Sequence, residues 1–233
     1  MKIIGLDSSG LVAGVAIWED GIIRADYTTN YKKTHSQTLL PMLDEIKKMT
    51  DLDLATVDAI AVAAGPGSYT GLRIGAATAK GLGLALNIPI IEVPTLDGLA
   101  FNLWGSPDVI CPLMDARRQQ VYSGIYEFSP ELNALMEQSA LGITEVLDKI
   151  NEIGRPVIFL GDGAPVYKKM IEEQVTVPYR FAPAHRSHQS AASVASLGAV
   201  YYEQGRFVDA ADHAPVYLRK SQAENEGPKD FQV

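Results

Sequence analysis

The turn after the first predicted strand carries the side chains best suited to phosphate or metal chemistry. Asp7, Ser8 and Ser9 come at the end of a buried strand predicted over residues 2–8. In duplicated folds that clamp ATP, an acidic residue at this point can hold a metal ion while the hydroxyls contact phosphate. A structural role is favoured here, because no basic residue follows to neutralise a phosphate and an aspartate readily caps a turn.

Two glycine-containing stretches are the other candidates for phosphate binding. Gly161, Asp162 and Gly163 follow a predicted strand, and with the turn after the first strand they would form a nucleotide site that we interpret as vestigial. Residues 65–71 (GPGSYTG) precede a predicted helix, where backbone N–H groups can face an anion. They lack the Gly-Lys-Ser/Thr ending of a P-loop, and Thr70 stands where a dinucleotide fingerprint has its third glycine. A tight turn into a closely packed helix is favoured.

The histidines, the serines and the cysteine do not support a metal site or a nucleophilic active site. The histidines are His35, His185, His188 and His213, and they do not form a set of closely spaced ligands. No serine stands in a Gly-x-Ser-x-Gly elbow. The single cysteine, Cys111, lies in an apolar run and is predicted to be a small buried hydrophobe. We therefore predict neither metal ligands nor catalytic residues.

The composition is that of an acidic globular chain. Of its 233 residues 47% are hydrophobic and 21% are charged, which argues against wholesale disorder. A net charge of −8 disfavours independent binding of nucleic acid, because phosphate contacts need a basic surface. The N-terminus does not have the pattern of a signal peptide, and no run approaches the ~20 apolar residues of a membrane helix. We expect a soluble cytoplasmic protein.

The first half of the chain is predicted to alternate strands with helices. The predicted strands cover residues 2–8, 12–18, 22–29, 57–64 and 88–93. A helix over residues 35–49 places Leu39, Leu43 and Ile46 on one apolar face. Thr34 and Gln37 have the spacing of a capping box, whereas Pro41 should kink this helix or delay its start.

A second helix, predicted over residues 71–86, is unusually rich in glycine. Gly71, Gly75 and Ala79 fall in one i, i+4 row, and Ala77, Gly81 and Ala85 form the adjacent row. Each glycine costs a helix interior about 1 kcal/mol relative to alanine, so a compensating reason is needed. Rows without long side chains let another backbone come close, either that of a partner or that of the sheet beneath.

The second half of the chain repeats the pattern of the first. In each half an apolar strand ends at an aspartate, Asp7 or Asp115, and an aromatic residue, Trp18 or Tyr126, follows eleven positions later. The repeat predicts a duplicated α/β unit. The predicted parts are subdomains over residues 1–106 and 107–220, the second with a helix over 190–204, and a mobile tail over 221–233.

Four motifs carry a resemblance to a known family. They are residues 35–42 (HSQTLLPM), 65–80 (GPGSYTGLRIGAATAK), 115–122 (DARRQQVY) and 215–219 (PVYLR). With these motifs the chain resembles the TsaB (YeaZ) family, the dimerisation subunits of the bacterial machinery that makes threonylcarbamoyladenosine at tRNA position 37. The resemblance implies the actin-like (ASKHA, ribonuclease-H-like) duplicated fold, with two α/β subdomains that contain mixed sheets.

The resemblance also implies a subunit that is not itself an enzyme. The catalytic relatives, the TsaD-type subunits, carry a His-x-x-x-His metal motif just after the strand that corresponds to residues 88–93. Here Thr95 and Leu99 stand at the two ligand positions, and neither can replace an imidazole. The expected role is that of an accessory subunit without a cofactor of its own, ATP being expected only at an interface with the partner.

The implied partners are a TsaD-type catalytic subunit and a TsaE-type ATPase of the same complex. The chain alone is expected to form a homodimer, to reach tRNA only through the complex, and to bind neither membrane nor DNA. The helices over residues 35–49 and 71–86 are expected to form the contact. The expected interface residues are His35, Leu39, Leu43, Ile46, Gly71, Arg73, Gly75 and Ala79.

Two enzymatic functions remain as alternatives. A metallopeptidase would need metal ligands, and stoichiometric zinc or iron in the purified protein would favour it. An ATP-dependent small-molecule kinase of the same fold would use Asp7 and the stretch from Gly161 to Gly163, and tight ATP binding by the lone chain would favour it.

Overall fold

A computed structural model describes residues 1–31 and 35–218 of the chain. Two predictions, the capping box at Thr34 and the mobile tail over residues 221–233, lie outside the described residues. Within them the chain forms two five-stranded mixed sheets with helices on their faces. None of the described helices combines the length and apolar character that crossing a bilayer requires.

The first sheet has the strand order β3-β2-β1-β4-β5. Its strands are β1 (Lys2–Asp7), β2 (Ala13–Glu19), β3 (Ile22–Thr29), β4 (Ala59–Gly65) and β5 (Ile90–Pro94). The first three form an antiparallel meander, while β4 and β5 run parallel to β1. The hairpin between β2 and β3 turns at Asp20 and Gly21, which both have positive φ.

The second sheet repeats this topology in the order β8-β7-β6-β9-β10. Its strands are β6 (Val109–Asp115), β7 (Gln120–Phe128), β8 (Leu132–Gly142), β9 (Val157–Leu160) and β10 (Tyr179–Phe181). Again two antiparallel strands flank one side of the central strand and two parallel strands the other. The predicted duplication is therefore confirmed, and its halves match strand for strand.

The three helices with predicted bounds, over residues 35–49, 71–86 and 190–204, are found within two residues of those bounds, and four further helices are present among the described residues. In chain order the helices are α1 (His35–Met49), α2 (Tyr69–Leu86), α3 (Thr95–Phe101), α4 (Ile143–Ile153), α5 (Gly163–Val166), α6 (Lys168–Gln174) and α7 (Ala191–Glu203). Pro41 lies inside α1, on its exposed side. Helix α2 begins two residues earlier than predicted, because the Ser68 hydroxyl accepts a hydrogen bond from Gly71 N at 3.3 Å and caps the helix.

Two helices each pack against the sheet of the other half of the chain. Helix α7 covers the face of the first sheet opposite α1, where Val194 and Leu197 pack against Ile3 and Val93. Helix α3, from the first half, packs against the second sheet. The subdomain bounds 1–106 and 107–220 stay a prediction, and the two halves share their packing, because one face of each sheet is covered by a helix from the other half.

Candidate functional site: an interdomain cleft and an adjoining helical face

A cavity of about 490 Å³ lies between the two halves of the molecule. Its lining residues are Ser9, Gly10, Leu11, Tyr31, His35, Gly67, Ser68, Met114, Asp115, Ala116, Arg117, Tyr122 and Asp162. Of the residues predicted to form a vestigial nucleotide site, Ser9 and Asp162 meet at this cleft. Asp7, Ser8, Gly161 and Gly163 are not among its lining residues.

Asp7 is buried beside the cleft and caps its own turn. Its side chain is 3% exposed, and Oδ1 accepts hydrogen bonds from Ser9 N at 2.9 Å and from Ser9 Oγ at 2.7 Å. Burial raises the pKa of the Asp7 carboxyl to about 6, although both bonds from Ser9 oppose that rise. The carboxylate therefore organises the turn after β1 at an electrostatic cost.

The inner small-residue row of α2 packs against this turn. The Ser8 hydroxyl donates to the Gly71 carbonyl at 2.9 Å, and a Cβ at Gly71 would overlap the Ser8 carbonyl oxygen. A Cβ at Gly75 would lie 2.6 Å from Ser8 Oγ. These contacts explain why the row is made of small residues. They let α2 approach the turn after β1 and the sheet beneath it closely.

Most of the predicted interface residues face inward. Leu39, Leu43, Ile46 and Ala79 are at most 5% exposed and belong to the core of the first sheet. His35 Nε2 donates to the Gly10 carbonyl at 2.8 Å, so this side chain lines the cleft. Of the eight residues only Arg73 is exposed. The regular apolar face of a helix first covers its own sheet, so other residues must supply any surface that meets a partner.

The second half contributes an acidic floor to the cleft. Asp115 Oδ1 accepts hydrogen bonds from Arg117 N at 2.9 Å and from the Tyr167 hydroxyl at 3.1 Å. Asp162 Oδ1 accepts from Asp115 N at 3.3 Å. Burial, together with the Asp115 charge, raises the pKa of Asp162. Two neighbouring carboxyl groups disfavour a polyphosphate inside the cleft unless a cation accompanies it.

The turn between β6 and β7 forms one side of the cleft mouth and has an unusual backbone. Arg117, Arg118 and Gln119 have φ values of +66°, +55° and +58°, so three consecutive residues other than glycine are left-handed. All three are exposed. Sequence reasoning did not predict this turn, because none of its residue types favours positive φ.

Several exposed residues of the neighbouring helices α1 and α2 are small or apolar, and we call this set the outer face. It consists of Leu40, Tyr69, Arg73, Ala77, Gly81, Leu84 and Ala85, all exposed. Leu40 and Leu84 are 53% and 60% exposed, and no atom lies within 4 Å of a Cβ built at Gly81. Arg73 and Lys80 are the only charged residues of α2. The α2 part of the outer face is therefore mostly small and apolar, and its only charge is positive.

An arginine–tyrosine cluster ends the outer face at the start of α2. The Arg73 guanidinium lies 4.2 Å from the centroid of the Tyr69 ring, and its Nε donates to the Tyr217 hydroxyl at 3.4 Å. The two tyrosine rings are 5.1 Å apart. Lys80 Nζ holds the chain that leads to Tyr217 by donating to the carbonyls of Ala211 and His213, at 2.7 and 3.0 Å.

Thr95 and Leu99 are used as packing and capping residues. Thr95 Oγ1 accepts a hydrogen bond from Gly65 N at 3.1 Å, and Leu99 packs against Ile110 and Tyr126. Over residues 1–31 and 35–218, no three histidine, cysteine, aspartate or glutamate side chains come together in a way that could hold a metal ion. The two positions therefore do not fit the metal that the resemblance associates with them in catalytic relatives.

Comparison with known proteins assigns the family. The model of the family described as TsaD, tRNA N6-adenosine threonylcarbamoyltransferase, matches residues 23–226. The tRNA threonylcarbamoyladenosine biosynthesis protein TsaB of Bacillus subtilis (strain 168) is 35% identical over 230 residues, which cover 96% of each chain.

Solved structures agree with this assignment. A Pseudomonas aeruginosa protein described as similar to peptidase YeaZ has a TM-score of 0.80 and 26% identity, covering 94% of this chain and 99% of that one. A polyphosphate/ATP-glucomannokinase from Arthrobacter sp. strain KM, at a TM-score of 0.50 and 12% identity over 85% of this chain and 98% of that one, shares the actin-like fold alone. The chain belongs to the TsaB (YeaZ) family of tRNA threonylcarbamoyladenosine biosynthesis proteins.

Proposed function

We propose that this chain is a non-catalytic subunit that binds a TsaD-type catalytic subunit through its outer face. In this role it takes part in forming threonylcarbamoyladenosine at tRNA position 37. The observation that carries the proposal is the exposure of Leu40, Leu84 and the row of Ala77, Gly81 and Ala85 on neighbouring helices.

The shape of the outer face suits contact with other helices. Interaxial distances between packed helices depend on the side chains at the contact, so a row of alanine and glycine lets a second helix approach closely. Fully burying a leucine is worth about 1.5–3 kcal/mol, and Leu40 and Leu84 are each about half exposed in the lone chain. A partner that covers both would gain a substantial part of that free energy.

The charges of α2 favour an acidic partner over a second copy of the chain. In a two-fold homodimer the same patch meets itself. Because α2 carries Arg73 and Lys80 and no acidic residue, packing α2 on its own copy would bring like charges together. We therefore propose that a homodimer of the lone chain is the weaker assembly, and that a TsaD-type subunit with carboxylates opposite Arg73 displaces it.

The absence of catalysis is proposed from the positions that would need metal ligands. Thr95 and Leu99 are occupied in capping and packing, as described above. The remaining proposals follow from the family: a TsaE-type ATPase joins the same complex, tRNA is reached through it, and ATP binds only at an interface with the partner.

The proposal is tested with Leu84→Asp and Leu40→Asp. Both side chains are exposed, so each variant should change the free energy of unfolding by only about 0.5 kcal/mol. Light scattering of the chain mixed with a TsaD-type subunit should show a heterodimer for the wild type and separate subunits for both variants. The reconstituted complex should lose formation of the modified adenosine in parallel.

The matched control is Lys149→Asp on α4, which changes a comparably exposed residue in the other half. It should assemble as the wild type does. Leu39→Asp is unsuitable as a test, because Leu39 is 1% exposed and its loss would unfold the chain. Normal heterodimers with both Leu84→Asp and Leu40→Asp, or modified adenosine made by the chain alone, would refute the proposal.

A further inference from the structure

The left-handed turn between β6 and β7 is held by specific hydrogen bonds. Asp115 Oδ1 accepts from Arg117 N at 2.9 Å, and the Gln119 carbonyl accepts from Ile143 N at 3.0 Å. Residues other than glycine rarely adopt this conformation, and such strain concentrates at functional sites. Glycine would adopt the same backbone without strain. The presence of arginine at these positions therefore indicates that its side chains have a role.

The turn places Arg117 in the lining of the cleft and exposes Arg118 directly after it in the chain. The side chain of Arg117 is 87% exposed, and its carboxylate neighbour, Asp115, lies at 3.8 Å. Arg118 is exposed and forms no ion pair with the described residues. A basic pair with this geometry is unusual in a chain of net charge −8. It provides an anion-binding feature at the rim of an acidic cleft.

An aromatic side chain also borders this cleft. Tyr31 lines it and is 71% exposed, while Leu11, also in the lining, is 67% exposed. Proteins that bind single-stranded RNA combine arginines on phosphates with aromatic rings on which bases stack. The carboxyl groups of Asp115 and Asp162 on the floor can accept hydrogen bonds from base amino groups but would repel phosphates. The phosphates therefore belong at the rim.

We propose that Arg117 and Arg118 bind backbone phosphates of a single-stranded loop of the substrate tRNA, and that a base of the same loop stacks on Tyr31. This inference rests on the proposed function, because the complex brings the tRNA to the chain. Two phosphate contacts give only weak affinity by themselves, which agrees with an acidic chain that does not bind RNA alone.

The test measures binding of unmodified tRNA to the complex reconstituted with its TsaD-type partner, at 50–200 mM salt. The double variant Arg117→Gln/Arg118→Gln should bind about ten-fold more weakly. It should also reduce the slope of log affinity against log salt by about 1.5, because each lost phosphate contact contributes about 0.7–0.9. Tyr31→Ala should weaken binding about ten-fold with an unchanged slope, because stacking carries no charge.

The matched control is Lys168→Gln/Lys169→Gln, which removes the same charge from adjacent exposed residues of α6. It should leave both affinity and slope close to those of the wild type. Arg118→Gly supplies a second readout. Its melting temperature should rise by about 1–3 °C as the strain is relieved, while affinity for tRNA falls.

Three results would overturn the inference. One is an arginine double variant that assembles and binds tRNA with the wild-type affinity and salt slope. Another is a double variant that no longer assembles, which would assign the turn to the protein partner. The third is a lower melting temperature for Arg118→Gly, which would make the side chain structural. Failure of the proposed function is seen separately, in normal assembly of Leu84→Asp and Leu40→Asp.

Discussion

The two halves of the molecule share a topology but differ in what they present outside it. Helices α1 and α4 occupy equivalent places, each following the third strand of its sheet. The exposed positions of α4 are Thr144, Glu145, Asp148, Lys149 and Glu152, all polar or charged. Helix α1 also exposes charged residues, but beside them it exposes the apolar Leu40, Pro41 and Met49. Of these two equivalent helices, only α1 therefore exposes large apolar side chains, and the exposed small residues of α2 extend the outer face.

The equivalent turns after β1 and β6 differ in a similar way. Asp7 is buried and its turn packs under α2, whereas Asp115 lies at the cleft and its turn extends two arginines outward. One repeat thus uses the turn for packing and the other for exposure. The comparison shows that a duplicated backbone can separate assembly from ligand contact, because outward side chains change without disturbing the sheets.

The largest predicted loss of stability tests whether the equivalent glycines at the ends of β4 and β9, Gly65 and Gly161, have the same structural role. Gly65 and Gly161 have φ values of +124° and +94°, and a Cβ at either would overlap a backbone carbonyl oxygen, of Val216 or Leu113. Changing either to alanine should cost at least about 3 kcal/mol, from strain and overlap together. Urea unfolding would measure the cost.

Gly105→Ala is the control for these glycines. Its φ is +76° but no atom lies within 4 Å of an added Cβ, so it carries strain without overlap and should cost only about 1–2 kcal/mol. Equal costs at all three positions would show that close packing is unimportant in both halves.

The next largest effect concerns the pH dependence of stability that burial of Asp7, unlike Asp115, should cause. The pKa of Asp7 is raised from 3.8 to about 6, so ionising it in the folded protein costs up to about 3 kcal/mol. Folded Asp7 holds its proton to higher pH than unfolded Asp7, so wild-type stability should fall as pH rises from about 4 to about 6. Asp7→Asn keeps an acceptor for Ser9 and should be more stable above pH 6.

That gain should disappear below pH 4, where Asp7 is protonated in both states. Thermal melts of wild type and Asp7→Asn from pH 4 to pH 7 would measure it. A gain that stayed constant with pH would show that desolvation of this carboxylate is not its cause.

The smallest predicted change in stability compares the exposed side of α2, at Gly81, with its buried side, at Gly83. Gly81→Ala fills open space in a helix interior and should stabilise the chain by about 1 kcal/mol, while weakening binding of the partner by crowding the outer face. Gly83→Ala places a Cβ 2.8 Å from Ala210 Cβ and should destabilise the chain. Chemical denaturation and titration with the partner would separate these effects; stabilisation by both changes would contradict the assigned sides.

The sequence predicted elements with strong local signals and missed those that depend on distant packing. Helix α1 begins and ends at the predicted residues, because its apolar period is regular. Strand β8 and helix α4 were not predicted, although α4 buries Ile143, Val146 and Leu147 in a regular pattern. Their surroundings lack the motifs on which the repeat was recognised.

The candidate site was predicted only in outline. Ser9 and Asp162 do line one cleft, as the repeat suggested, whereas the side chains of α1 that were predicted to form the interface are buried against their own sheet. Leu39 and Leu40 are adjacent in sequence, and periodicity alone selects Leu39 as apolar without showing that its own sheet buries it. Leu40 is informative because it lies outside the regular stripe.

The packing of α7 on the first sheet has a consequence for folding during synthesis. A ribosome releases the first sheet early, yet one face of that sheet is covered by residues 191–203, near the end of the chain. Until these residues emerge, Ile3, Val93 and their neighbours remain open to water or to a chaperone. The part of the protein that is synthesised first is therefore among the last to be completed.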